Sequence, residues 1–188
     1  MKISAISYIH PEDKTTLDNL KSMPVFTTCV KSFMKFLPEQ FLHGMNMAQK
    51  IRLGPEQLPD IYNLLPPICE LLDIEEPEFY LEMNPAPNAY TFGDSRVFLT
   101  ITSGLLEYLE EDEVKAVIAH ECGHIACRHV LYHTMATLIL NFGSKVLGPI
   151  AALSAPIQLA LLRWQRRSEL SADRAAAVYM GNPKSVIE

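Results

Sequence analysis

The chain has 188 residues, enough for one compact domain with a sizeable core, and its 22 acidic and 16 basic side chains give a net charge of -6. That balance, with no basic cluster beyond Arg163, Arg166 and Arg167, argues against nucleic acid as a partner. Cys29, Cys69, Cys122 and Cys127 show no C-x-x-C spacing, and the apolar run ahead of His10 and Pro11 is too short for an export signal, so reduced thiols in a cytoplasmic setting are expected.

Residues 11–72 read as short helices punctuated by Pro24, Pro38, Pro55, Pro59, Pro66 and Pro67, and 1–72 is taken as an N-terminal helical region. The remainder, 73–188, has a different character. Residues 78–83, 89–92 and 96–101 have the aromatic and β-branched content of strands, with turn residues between them, which predicts a small sheet. Residues 110–119 then place acidic side chains at a helix start and apolar ones at helical spacing, with neither Pro nor Gly. The expected architecture is helix-rich α+β, with the sheet beside this helix.

The same helix continues through His120, Glu121, Cys122, Gly123 and His124. Residues four apart share a helix face, so His120 and His124 can both aim a ring nitrogen at one tetrahedral zinc. Glu121 then sits beside the metal without binding it. Zinc lowers the pKa of a bound water to about 7, and a carboxylate in reach can take its proton.

The third ligand must come from elsewhere. A metzincin would carry Gly and His where Cys127 and Val130 stand, so that arrangement fails. Glu169 on a second helix is the other common solution, and Ala172 and Ala176 are small enough to let two helices approach closely. Gly143, Ser144, Gly148 and Pro149 place the apex of a hairpin near residue 146, with Pro156 expected to start the return helix late. Glu169 then lies opposite His124. Asp173 lies opposite His120, as a carboxylate that receives the ligand imidazole's other N–H and fixes its tautomer.

Other conspicuous residues have plainer readings. His129 and His133 form another pair four apart, but no carboxylate accompanies them, and counting along one helix turns the face by about 140° from His124 to His129. No second metal site is expected there. Cys122 reads as a small buried residue behind the metal helix, and Trp164 and Tyr179 read as core or interface aromatics. The apolar segment 134–162 holds one charge, Lys145. It divides into arms of about 11 and 14 residues, each short of the roughly 20 needed to span a bilayer. Two readings stay open: a hairpin meeting a membrane surface, or one buried against residues 20–70, where Met23, Phe26, Phe33, Met34, Phe36 and Leu37 offer an apolar face, or against another subunit.

Taken together, Asn88-Ala89-Tyr90, the segment from Thr102 to Leu106, His120 to His124, and Arg166 through Glu169 to Asp173 resemble the gluzincin zinc metallopeptidases that include the CAAX prenyl endopeptidases and the HtpX-type proteases. The resemblance spans roughly residues 85–180. It implies a zincin-like fold and an endopeptidase acting on polypeptide, with one zinc per chain held by His120, His124 and Glu169. Glu121 would be the general base and Asp173 the supporting carboxylate. It also implies that the strand near Asn88 holds an extended substrate by adding it to a sheet edge, and that the protein is membrane-associated.

One feature departs from the pattern. Members of the family usually carry a His-Pro and Arg segment, thought to stabilise the oxyanion, some tens of residues beyond the E-x-x-x-D helix. Here the only His-Pro is at His10 and Pro11, and 182–188 read as a helix start without a cap. The expectation is a fragment of a longer protein. The alternative is a non-catalytic zinc-binding or membrane-interaction domain whose turnover is negligible without that segment.

Overall fold

The computed structural model describes residues 2–28, 30, 39–142 and 154–181, with backbone alone at 39–42, 45, 138–142 and 154. The hairpin apex near 146, Phe33, Met34, Phe36 and Leu37, and the tail 182–188 lie outside the described residues.

Helix α1 (Pro11–Lys21) starts where the sequence breaks at His10 and Pro11: the His10 ring accepts from the Glu12 N–H, and Pro11 occupies a position that needs no N–H of its own. After α2 (Glu39–Gln49) come β1 (Lys50–Arg52), α3 (Pro59–Tyr62) and α4 (Leu65–Leu72). The strands β2 (Glu78–Glu82), β3 (Ala89–Gly93) and β4 (Val97–Thr102) follow, each within two residues of its expected bounds. The sheet order is β1-β2-β4-β3, with β2 and β4 parallel and the outer pairs antiparallel. Strand β1 was not anticipated. Three residues, two of them charged, carry no periodic signal, and the strand exists because β2 offers it an edge.

Alternation along β2 and β4 divides the burial between two layers. Phe79, Leu81, Leu99 and Ile101 face a core built with Leu65, Ile68 and Leu72 of α4. Tyr80, Phe98 and Thr100 face the opposite way, where His43 of α2 stacks on Phe98 and Lys50 reaches Thr100 at 3.1 Å. The main core is completed by α5 (Ser103–Tyr108) and by Val114, Ile118, Ala119 and Cys122 of α6 (Glu111–Ala126).

The outgoing path differs from a single helix running to the apex. Helix α6 ends at Ala126, Arg128 adopts the left-handed region at φ 59°, and α7 (Val130–Phe142) starts on a new axis. The face count from His124 to His129 along one helix therefore does not apply. The return helix α8 (Ser154–Met180) is 27 residues long and begins at Ser154, with Pro156 in the first turn where its missing N–H costs nothing. What reads as the hairpin's second arm and the helix bearing Glu169 are one element.

A second core joins α1, α7 and α8 through Leu17, Leu20, Met135, Ala136, Ile157, Leu161 and Trp164, with Phe26 closing it from the helical turn at 24–28. The described part of the apolar hairpin thus buries against the N-terminal helix. Among the described residues no helix is long and apolar enough to cross a membrane. Leu161 is buried in this second core and Leu159 is exposed. Leu161→Asp is therefore expected to destabilise the protein by about 3–5 kcal/mol through an unpaired buried charge, and Leu159→Asp by less than about 0.5 kcal/mol. Urea denaturation of the two variants checks this, and equal midpoints would refute the assignment of this core.

Candidate metal centre

The site begins with the cap of α6. Glu110 accepts from the backbone of the third helical residue while Glu113 accepts from the Glu110 N–H at 2.8 Å, a reciprocal capping box that fixes where the helix starts and hence which face His120 and His124 present. That face lies against α8. A Cβ on Gly123 would stand 2.7 Å from the Ala175 Cβ and 3.0 Å from the Ala172 Cα, so the close approach of the two helices requires glycine at 123 and small residues opposite. Ala172, Ala175 and Ala176 are all fully buried.

At this approach three donor atoms converge. His120 Nε2 and His124 Nε2 are 3.2 Å apart, and Glu169 Oε2 lies 3.1 Å from the first and 3.5 Å from the second. Ligands about 2.0–2.2 Å from a tetrahedral ion stand about 3.3 Å from one another, so these spacings suit one small cation. The proton inventory agrees. His120 Nδ1 lies 2.9 Å from Asp173 Oδ1, which takes that nitrogen's proton as a hydrogen bond and turns the other nitrogen toward Glu169. Two imidazole nitrogens and a carboxylate oxygen facing one point need positive charge there.

The titration of these groups shows the same demand. Burial opposes charge on His120, yet Asp173 and Glu169 outweigh it and push its pKa up to about 10 in the absence of metal. Burial alone would raise Glu169, but His120 and His124 beside it hold it far below the ordinary carboxylate range. In the metal-free protein a proton on His120 serves as the cation.

Glu121 is buried beside His120 on the same helix. Cys122 is completely buried, with Cys69 alongside and its pKa raised by that thiol and by burial, so it remains a protonated thiol packed behind the motif. Cys69, Cys122 and Cys127 are all free. Trp164 is a core residue as expected, but its indole N–H also donates to Asp13 Oδ1 at 2.9 Å.

Two residues adjoin the site that the sequence reading did not assign to it. His129 Nδ1 lies 3.1 Å from His124 Nδ1, and His129 Nε2 lies 2.9 Å from Asp13 Oδ2, with both side chains fully buried. Burial lowers the pKa of His129 against the opposing pull of Asp13. Asp13 would be raised by burial, but His129, Ser171 and Trp164 bring it below its ordinary value. His124, His129 and His133 also form a group close enough to be considered for an ion, contrary to the face count. His133 Nε2 is engaged at 2.7 Å by Ser168, and burial lowers the pKa of its ring to about 3, which keeps it neutral. A signal for His129 existed in its spacing from His133; none existed for Asp13, which is remote in sequence.

The sheet reaches the site through its edge. Thr102, at the end of β4, donates to the Ala86 carbonyl and accepts from the N–H groups of Asn88 and Leu105. One hydroxyl therefore joins the two motif segments around Asn88 and Thr102. The far end of β3 is tied to α7, with the Gly93 N–H donating to Thr134 Oγ1 at 3.1 Å. Strand β3 packs beside α6 and α7, and among the described residues it has no strand on its outer side.

Residues 60–188 match peptidase family M48. The chain belongs to that family. Peptidases of the family are metal-dependent and zincin-like in fold, in agreement with the donor set above. The chain is 34% identical over 188 residues to the plastoglobule-localized metallopeptidase 48, chloroplastic, of Arabidopsis thaliana, an alignment covering 98% of this chain and 54% of that protein. It is 26% identical over 186 residues to protease HtpX homologs of Burkholderia ambifaria and Burkholderia cenocepacia, covering 86% of this chain and 65% of each relative. The chain thus spans about half the length of the Arabidopsis relative and just under two thirds of the others.

A raised His120 pKa has a measurable consequence. Its folded value of about 10 exceeds the unfolded 6.5, so in the metal-free protein this group's stabilisation is fully present below 6.5 and lost as pH rises through about 10. Metal must displace that proton. At pH 7.5 binding is expected to release about one proton per ion, falling toward none above pH 10. Calorimetry in buffers of different ionisation enthalpy reads this directly, and no release at pH 7.5 would contradict the arrangement.

Proposed function

We propose that this chain is the catalytic region of a zinc-dependent metalloendopeptidase, with zinc held by His120, His124 and Glu169. The observation that carries this is the convergence of those three acceptor atoms within 3.1–3.5 Å, two of them from the helix that also bears Glu121 and the third from α8. Two imidazoles and one carboxylate in that spacing favour zinc over the harder, oxygen-preferring cations. Zinc bound there would supply a Lewis acid and bring the pKa of water near 7.

The protein's own groups then have defined tasks. Glu121 accepts a proton from the attacking water and returns it to the amine nitrogen as the C–N bond of the peptide breaks. Asp173 holds the proton on His120 Nδ1, which keeps Nε2 available. The outer side of β3, fixed at both ends by Thr102 and Thr134, would receive an extended polypeptide as an added strand, so that main-chain hydrogen bonds position the scissile bond. Unfolded or extended polypeptide is accordingly the substrate class.

For location, the buried unpaired thiols support a reducing, cytoplasm-like compartment. The Arabidopsis relative is by its name plastoglobule-localized and chloroplastic, which supports an intracellular site of action for this chain as well.

Glu121→Gln is expected to abolish cleavage of an unfolded protein substrate while zinc content stays at one per chain. Asp173→Asn is expected to be milder, with activity or zinc affinity falling roughly 10- to 100-fold. Elemental analysis and a casein-type assay on both variants test this. Wild-type turnover by Glu121→Gln would exclude the mechanism.

A further inference from the structure

Each imidazole in the site has two nitrogens, and the one facing the metal is usable only if the ring's proton is on the other. For His120 a carboxylate sees to this directly, through Asp173 at 2.9 Å. For His124 no carboxylate touches Nδ1. Its neighbour is His129 Nδ1 at 3.1 Å, a second imidazole that could equally well donate or accept. Something must set the direction.

On the far side of His129, Nε2 lies 2.9 Å from Asp13 Oδ2, and both side chains have no solvent exposure. The contact is a bent ion-pair contact and not an aligned hydrogen bond. A proton must nonetheless sit on that nitrogen, because a lone pair pressed against a carboxylate oxygen at that distance would be repelled. Asp13 is itself held firmly. Its Oδ1 accepts from the Trp164 indole at 2.9 Å and its Oδ2 from the Ser171 hydroxyl at 2.5 Å, while Ser171 Oγ accepts from the His10 N–H at 2.9 Å. Trp164 and Ser171 flank Glu169 on α8, so the helix that brings the third ligand also fixes the carboxylate.

We infer that Asp13 is a positioning residue of the metal centre, acting through His129 to keep the proton of His124 on Nδ1 and its Nε2 free and aimed at the ion. The inference rests on the reading of His124 as a metal ligand. With the proton of His129 held at Nε2 by Asp13, its Nδ1 presents a lone pair. His124 Nδ1–H then donates to that lone pair, and His124 Nε2 is left unprotonated. The residue at the head of this relay comes from α1, outside residues 60–188 that match the family, so the N-terminal segment is part of the site and not an appendage to it.

Asp13→Asn tests the direction of the relay with almost no change of shape. The Trp164 indole can only donate, so it faces the amide oxygen and leaves the amide NH2 against His129 Nε2. The proton of His129 would move to Nδ1, that of His124 to Nε2, and the metal position would be blocked. Zinc affinity, measured by chelator competition on the whole chain, is expected to fall about 10- to 100-fold. Imidazole 15N shifts of the metal-free protein should show His124 protonated at Nδ1 in the wild type and at Nε2 in the variant, a change that a merely structural role for Asp13 would not produce. Unchanged affinity and tautomers in a folded Asp13→Asn would overturn the inference. Should the variant not fold, the wild-type spectrum decides, since protonation of His124 at Nε2 there would overturn it equally. Glu169→Ala serves as the control for the underlying site: unchanged zinc binding in that variant would defeat the metal reading itself, whereas loss there with none in Asp13→Asn would defeat this inference alone.

Discussion

Three electron pairs aimed at one point repel one another, and this repulsion is the constraint around which the protein is arranged. His120 Nε2, His124 Nε2 and Glu169 Oε2 would drift apart unless a cation joined them or the scaffold held them. The scaffold does hold them. Gly123 against Ala172 and Ala175 brings α6 and α8 closer than side chains of ordinary size would allow, which places a carboxylate from one helix among imidazoles of the other. The capping box at Glu110 and Glu113 fixes the phase of α6, and Asp173 and the Asp13–His129 pair orient the two rings from behind.

The two cores have different tasks in this arrangement. The larger one, between the sheet and α4 and α6, sets the helix bearing the HExxH motif on a rigid layer, with Ile118 and Cys122 fully buried in it. The smaller one, among α1, α7 and α8, holds the opposite side of the site and carries the buried polar network of Asp13, His129, Trp164 and Ser171. A buried polar network is stable only when each donor meets an acceptor. At Asp13 the Trp164 indole N–H and the Ser171 hydroxyl each find a carboxylate oxygen, and His129 adds an ion-pair contact. The apolar character of the described hairpin residues follows from the same core, since Met135, Ala136, Ile157 and Leu161 are the walls that exclude water from it.

The sheet contributes position more than bulk. Strand β4 is buried along nearly its whole length, while β3 packs beside the site and leaves its outer side without a strand partner among the described residues. Thr102 and Thr134 anchor the two ends of β3 by side chain to backbone bonds, so this edge is held at a fixed height relative to the motif helix. A rigid edge is what a strand-adding ligand needs, because hydrogen bonds to a mobile edge would first have to offset the entropy of ordering it.

The helix carrying His120, Glu121 and His124 was legible in the sequence because its signals are local: acidic residues at the start, apolar spacing, and ligands one turn apart on one face. The strands 78–82, 89–93 and 97–102 were legible for the same reason, through aromatic and β-branched content with turn residues between. Glu169 and Asp173 were reached by assuming that helices pair antiparallel, and the structure does set them beside His120, although by way of a break at Arg128 and a single long return helix. Strand β1 and the place of Asp13 were not legible. An edge strand of three residues exists only because β2 is there to pair with it, and a carboxylate in the first turn of α1 looks like any helix-start acid until the chain folds. Sequence determined which residues could bind a metal. Only the tertiary structure supplied the group that stands behind His124, because the contact of His129 with Asp13 joins residues more than a hundred positions apart.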